Sequence, residues 1–184
     1  LVKHLIHRKF LIINSIFFII VYFMLLVSSY YIRDSSIATD NMNLSPKKLV
    51  WIELFLHNLG LALLIVGVGI ISFGFLSALI VILNFYLLYI SFDYIFKISD
   101  DFFYGFLIIS THGILEILAM SLAFYLSTFS LRKLINNIYS FKKVRVESLT
   151  SFVKLILLMV ALFLISSLIE TFITPSILNH LLSM

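Results

Sequence analysis

The chain has 184 residues, 62% of them hydrophobic and only 12% charged, at a mean hydropathy of +1.15. A soluble domain is nearer one-half apolar and one-quarter charged, so that class is excluded and a polytopic membrane protein is expected. The net charge of +4 needs no nucleic acid to explain it, since cytoplasmic Lys and Arg give the same excess, and the absence of Cys excludes disulfides, thiolate metal sites and a Cys nucleophile.

After a short basic start with Lys3, Arg8 and Lys9, residues 10–32 are apolar over a length greater than a signal-peptide core. They carry no small-residue cleavage pattern and read as a retained first span. Tyr22, Tyr30 and Tyr31 read as interfacial anchors at one end of it. Residues 33–48, with Asp34, Asp40 and Pro46, form a polar loop. Residues 49–92 are too long for one crossing, because a single helix of that length would measure about 66 Å against a hydrocarbon core of about 30 Å. Gly67, Gly69, Ser72 and Gly74 mark the reversal, which gives spans over 50–71 and 75–92. The same glycines also suit a close helix-packing patch.

Residues 93–104 read as an acidic loop, followed by a fourth span over 105–129. Residues 130–151 carry Arg132, Lys133, Lys142, Lys143 and Arg145, with Leu131, Leu134, Ile135 and Ile138 at helical spacing. This is the pattern of a basic amphipathic helix on an anionic leaflet, available for partner docking, or of a solvated linker. The fifth span is 152–174, ended by Pro175. The fold class is therefore all-α, one integral membrane domain over residues 1–184. With five spans and a cytoplasmic N-terminus, nine Lys and Arg fall inside and four outside. A four-span model with the N-terminus outside gives the same count, and only the length of 49–92 separates the two.

Within the fourth span, His112 and Glu116 lie four residues apart and share a helix face. An acid at the bilayer centre costs about 2.5 to 3.5 kcal/mol even on insertion scales, so Glu116 needs a proton or a partner. Counting inward from the outer helix ends at ~1.5 Å per residue places His57 and Asn58 roughly 10 to 12 Å deep, and Asn84 roughly 12 Å. The same count puts His112 at roughly 10 Å, Glu116 at roughly 17 Å and Glu170 within roughly 6 Å. Four spans thus bring polar groups to the outer half, the inner half is comparatively bare, and a pocket opening outward is expected. The plainer readings are interhelical hydrogen bonding for Asn58 and Asn84, a structural pair for His112 and Glu116, a headgroup position for His57 and an interfacial carboxylate for Glu170. No cofactor is expected; were a metal held, His57, His112, Glu116 and Glu170 have ligand types that suit zinc, although the H-E-x-x-H pattern is absent. Ser110 and Thr111 are not expected to aim at the imidazole.

His112-Gly-Ile-Leu-Glu116, with Ile169-Glu170-Thr-Phe-Ile-Thr-Pro175 about fifty residues later and Phe55-x-x-Asn58 before it, resembles the stage II sporulation protein M family over roughly residues 50–175. The chain departs from the family pattern at Phe85 after Asn84, at His57, and in the bulk that follows Glu116. The resemblance implies a multi-helix membrane protein. The namesake looks like a scaffold that gathers wall-degrading partners, and small members lie beside peptide exporters or in circular-bacteriocin clusters.

The leading expectation is a non-enzymatic subunit of the bacterial cytoplasmic membrane. Its expected partners are lipids, transporter subunits or wall hydrolases, an amphipathic peptide, or a second copy of the chain, with no nucleic acid. The second is an intramembrane peptide hydrolase or transpeptidase using Glu116 and His112, and the third a proton-coupled permease. The hairpin itself is testable: a Cys placed at Ser72 is expected to react only with cytoplasmic reagents, and labelling from the opposite side would remove the five-span topology.

Overall fold

The structure, a computed structural model, describes residues 2–31, 50–99, 102–138 and 148–176. These residues form six helices, α1 (Val2–Tyr31), α2 (Trp51–Ile71), α3 (Phe75–Ser99), α4 (Phe102–Ser127), α5 (Phe129–Ile138) and α6 (Leu149–Phe172), with no strand among them. All except α5 are long and apolar enough to cross a membrane. In α4 half of the most apolar stretch is buried, against 17 to 22% in the other four, so α4 is the central helix. It packs against α1, α2, α3, α5 and α6, whereas α1 and α6 do not pack on each other.

The α2–α3 reversal falls where the glycines placed it. Phe73 and Gly74 have positive φ values of 54° and 89°, the Gly74 N–H donates to Gly69 O at 2.7 Å, and Ser72 Oγ accepts from the Leu76 N–H at 3.1 Å. One bond ends α2 and the other caps the start of α3. Gly69 is also a packing residue, since a Cβ there would overlap the Ser77 and Ser127 side chains, and Ser77 Oγ donates to Ile65 O at 2.5 Å. Turn and packing patch are therefore both present.

Three sequence expectations need correction. The acidic loop over 93–104 is mostly helix: α3 continues to Ser99 because Phe92 and Phe96, one turn apart, are both buried, and Asp93 between them is only 4% exposed. The inner half is not bare. Asn14 Nδ2 donates to Ser121 O at 2.8 Å, and Ser15 and Ser121 hydroxyls are 3.1 Å apart, tying α1 to α4. Arg132 is not an outward docking cation. It is 5% exposed, donates through Nη1 to Tyr125 O at 2.7 Å and to Thr128 Oγ1 at 2.5 Å, and sits 4.1 Å over the Tyr125 ring. There it satisfies carbonyl and hydroxyl oxygens left at the end of α4. Lys133 is exposed, as expected, while Lys142, Lys143 and Arg145 lie outside the described residues.

The helices do not end level. Cross-helix bonds pair Thr174 with His112 and Asn58 with Glu116. Beyond the Asn58–Glu116 level α4 overshoots α2 by roughly 10 Å, at ~1.5 Å per residue. The 21 residues of α2 span about 31 Å, one hydrocarbon thickness. The overhang of α1, α3 and α4 carries stacked and edge-on rings: Phe96–Phe102 at 5.7 Å, Tyr30–Phe102 at 4.9 Å and Phe102–Phe106 at 6.2 Å. Such aromatic groups suit the headgroup layer.

Because a single Cβ at Gly69 meets two serine side chains, Gly69→Ala should cost about 1 to 3 kcal/mol, the range for overpacking. Gly60, where a Cβ would meet nothing within 4 Å, is the control. Thermal unfolding in detergent should show a clear drop for Gly69→Ala and none for Gly60→Ala.

Candidate functional site

Below the level where α2 ends, polar side chains of four helices come together. On α2, Asn58 is half-buried and donates through Nδ2 to Glu116 Oε1 at 2.7 Å. On α6, Ser166 Oγ donates to the His112 carbonyl oxygen at 3.1 Å, and the Ser166 hydroxyl lies beside the Glu116 carboxyl. Glu170, one turn further along α6, is within electrostatic reach of Glu116. Thr174 Oγ1 and Thr111 Oγ1 each lie 3.4 Å from His112 Nδ1 and 3.3 Å from one another.

Glycine supplies the fourth wall. Gly113 leaves room for Tyr22 of α1, whose Oη would be 2.7 Å from a Cβ at that position. Tyr22 is 1% exposed, not at the interface as its place among aromatic anchors implied. Its hydroxyl faces Ser110 without a hydrogen bond of ordinary geometry, and neither oxygen has another partner.

Of the residues singled out from sequence, the structure joins Asn58, His112, Glu116 and Glu170. It does not bring in His57, which is exposed on α2: adjacent residues on a helix point about 100° apart, and Asn58 takes the inward position. Asn84 is half-buried in α3 and forms none of the hydrogen bonds of the cluster. The depths expected for Glu116 and Glu170, roughly 11 Å apart, are corrected by the contact of Thr174 with His112: Glu170 and Glu116 each lie one turn inward from it, at one level.

The expectation for Thr111 is also overturned, since its hydroxyl does reach the imidazole. Its one proton, however, goes to Ile108 O at 2.9 Å, so toward His112 it acts only as an acceptor. Sequence reasoning missed Tyr22, Gly113, Ser166 and Thr174. The available signal was the hydroxyl-rich run Ser166, Ser167, Thr171 and Thr174 around Glu170, too dense for a lipid-facing helix. Among the described residues, no three His, Asp or Glu side chains form a group fit for a metal ion.

Residues 10–175 match the family model described as Stage II sporulation protein M. No curated protein and no solved structure matches the chain. The match takes in all of the cluster, from Tyr22 to Thr174.

The Asn58–Glu116 bond is open to a double-mutant cycle with Asn58→Ala and Glu116→Ala. Cross-helix hydrogen bonds in membrane proteins average about 0.6 and reach about 1.7 kcal/mol by this measure, and a coupling in that range is expected. Strictly additive single effects would mean that the two side chains do not meet.

Proposed function

Since the chain belongs to the stage II sporulation protein M family, we propose that it is a non-enzymatic, multi-pass subunit of the bacterial plasma membrane that assembles with other membrane proteins. The observation that carries this reading is where the reactive-looking groups spend their hydrogen bonds. Glu116 accepts from Asn58, Ser166 donates to a backbone carbonyl, and the proton of Thr111 is directed at Ile108 O. The first two bonds hold α2, α4 and α6 together, and the third stays within α4. A nucleophile needs the opposite arrangement, a hydroxyl donating to its base.

The partners fall into two chemical classes: the subunits of an exporter for an amphipathic peptide, in maturation or immunity, and enzymes that remodel the cell wall. Large apolar residues along α1 and α3 supply the intramembrane surface for such assembly, for example Phe17, Met24, Ile82 and Leu83, each exposed by 58 to 66%. Lys133 on α5 adds a polar-side contact.

The test replaces Glu116 with Gln, which keeps the shape and still accepts from Asn58. A scaffold retains its partner yield in native-membrane pull-downs and its producer phenotype at more than about half of parental level. A loss of the phenotype by 10²-fold or more, with partner capture intact, is the scale expected for a missing general acid or base. That result would replace the scaffold reading with the hydrolase one.

A further inference from the structure

Three asparagines lie in the membrane spans, and two of them are bonded to a neighbouring helix: Asn14 to Ser121 O and Asn58 to Glu116. Asn84 is not. It is half-buried on α3, its side chain makes no hydrogen bond among the described residues, and its amide is not enclosed by the bundle, so it opens at the outer surface. It is also the middle residue of the span Phe75–Asp93, roughly 14 Å from either end at ~1.5 Å per residue. An amide near a span end is hydrated, whereas one at the centre of the hydrocarbon has no water to turn to and is costly to leave unpaired. The face around it is laid out for a helix. Ile80, Asn84, Leu87 and Ser91 follow one another by steps of four, three and four, the spacing of a helix–helix seam, with Leu87 60% exposed and Leu83 beside it 63%. The Ser91 hydroxyl donates to Leu87 O of its own helix and asks for nothing more.

We propose that a second copy of this chain packs on this face of α3, with the two Asn84 amides paired across a two-fold axis along the membrane normal. Both copies have the same orientation in the bilayer, so at such an axis each residue meets its own counterpart at its own depth. That requires a group complementary to itself. A primary amide is one: its N–H hydrogens are positively polarised and its carbonyl oxygen negatively, so two amides set head to tail each donate to and accept from the other. A carboxylate or an ammonium group against its own copy would repel. Leu83 and Leu87 then pack on their counterparts, and in lipid such packing and interhelical hydrogen bonds are what drive helices together. The contact uses none of the side chains around Glu116. It does not rest on the scaffold reading, since the chain alone in vesicles has no other protein to assemble with, and either can fail alone.

The experiment uses the full chain, which has no Cys of its own, as single-Cys variants in phosphatidylcholine vesicles at low protein-to-lipid ratio. On oxidation Leu87→Cys should give a disulfide-linked dimer. Ile82→Cys, 62% exposed but about 200° around the helix from Asn84, should not. Energy transfer between donor- and acceptor-labelled Lys133→Cys copies then gives the dissociation constant. Asn84→Leu should raise it at least tenfold, about 1.4 kcal/mol of association, and Asn84→Gln, which keeps the amide, should stay within about threefold of the parent. Because the amide has no partner within one chain, Asn84→Leu should not lower the Tm in dilute detergent, which separates lost pairing from lost folding. Leu83→Ala should also weaken association and keeps the test open should Asn84→Leu not fold. A parent that stays monomeric, a dissociation constant unmoved by Asn84→Leu, or equal cross-linking at positions 87 and 82 overturns the proposal. A monomeric parent that captures another membrane protein from native membranes, and loses it on Asn84→Leu, overturns it in favour of that protein.

Discussion

A carboxyl in the middle of an apolar helix is tolerated only if other groups come to it, and the Asn58–Glu116 hydrogen bond at 2.7 Å is that compensation. In a low-dielectric interior such a bond is electrostatically stronger than in water, and its loss strands both partners. It fixes the register of α2 against α4. Once that register is set, Gly69 falls against Ser127 at the other end of the same helix pair, where only a residue without Cβ fits. The two ends of the α2–α4 contact are thus mutually dependent: slide one helix by a turn and both the amide and the glycine lose their places.

The third helix is held by the same stretch of α4. Ser166 reaches the His112 carbonyl oxygen and Thr174 the His112 ring, so the backbone and side chain of one residue both touch the α6 segment. Gly113, next in the chain, admits Tyr22 of α1 on another side. A His-Gly pair followed three residues later by Glu is therefore a compact device: imidazole toward α6, open backbone toward α1, acid toward α2. Each position answers to a different neighbouring helix.

Much of this was legible in the chain itself. Five spans followed from length and hydropathy, the α2–α3 reversal from glycines that permit positive φ, and the approach of Asn58 to the His112–Glu116 stretch from their depth below the helix ends. What was not legible depends on tertiary context. An aromatic in a membrane helix looks the same whether it anchors at the surface or fills a slot made by a glycine on another helix, so Tyr22 was misplaced. Asp93 reads as loop until Phe92 and Phe96 are known to be buried around it. Arg132 reads as a surface charge until the break at Thr128 turns it back onto Tyr125. Two carboxyls looked unequal in depth because the register that sets Thr174 beside His112 is invisible in a list of spans.

Infrared difference spectroscopy on Glu carboxyl bands tests the central claim most directly, namely that Glu116 is held by the amide of Asn58. The band to follow is the one that disappears in Glu116→Gln. The account predicts that Asn58→Leu shifts that band and leaves the other carboxyl bands in place. A Glu116 band unmoved by Asn58→Leu would contradict it.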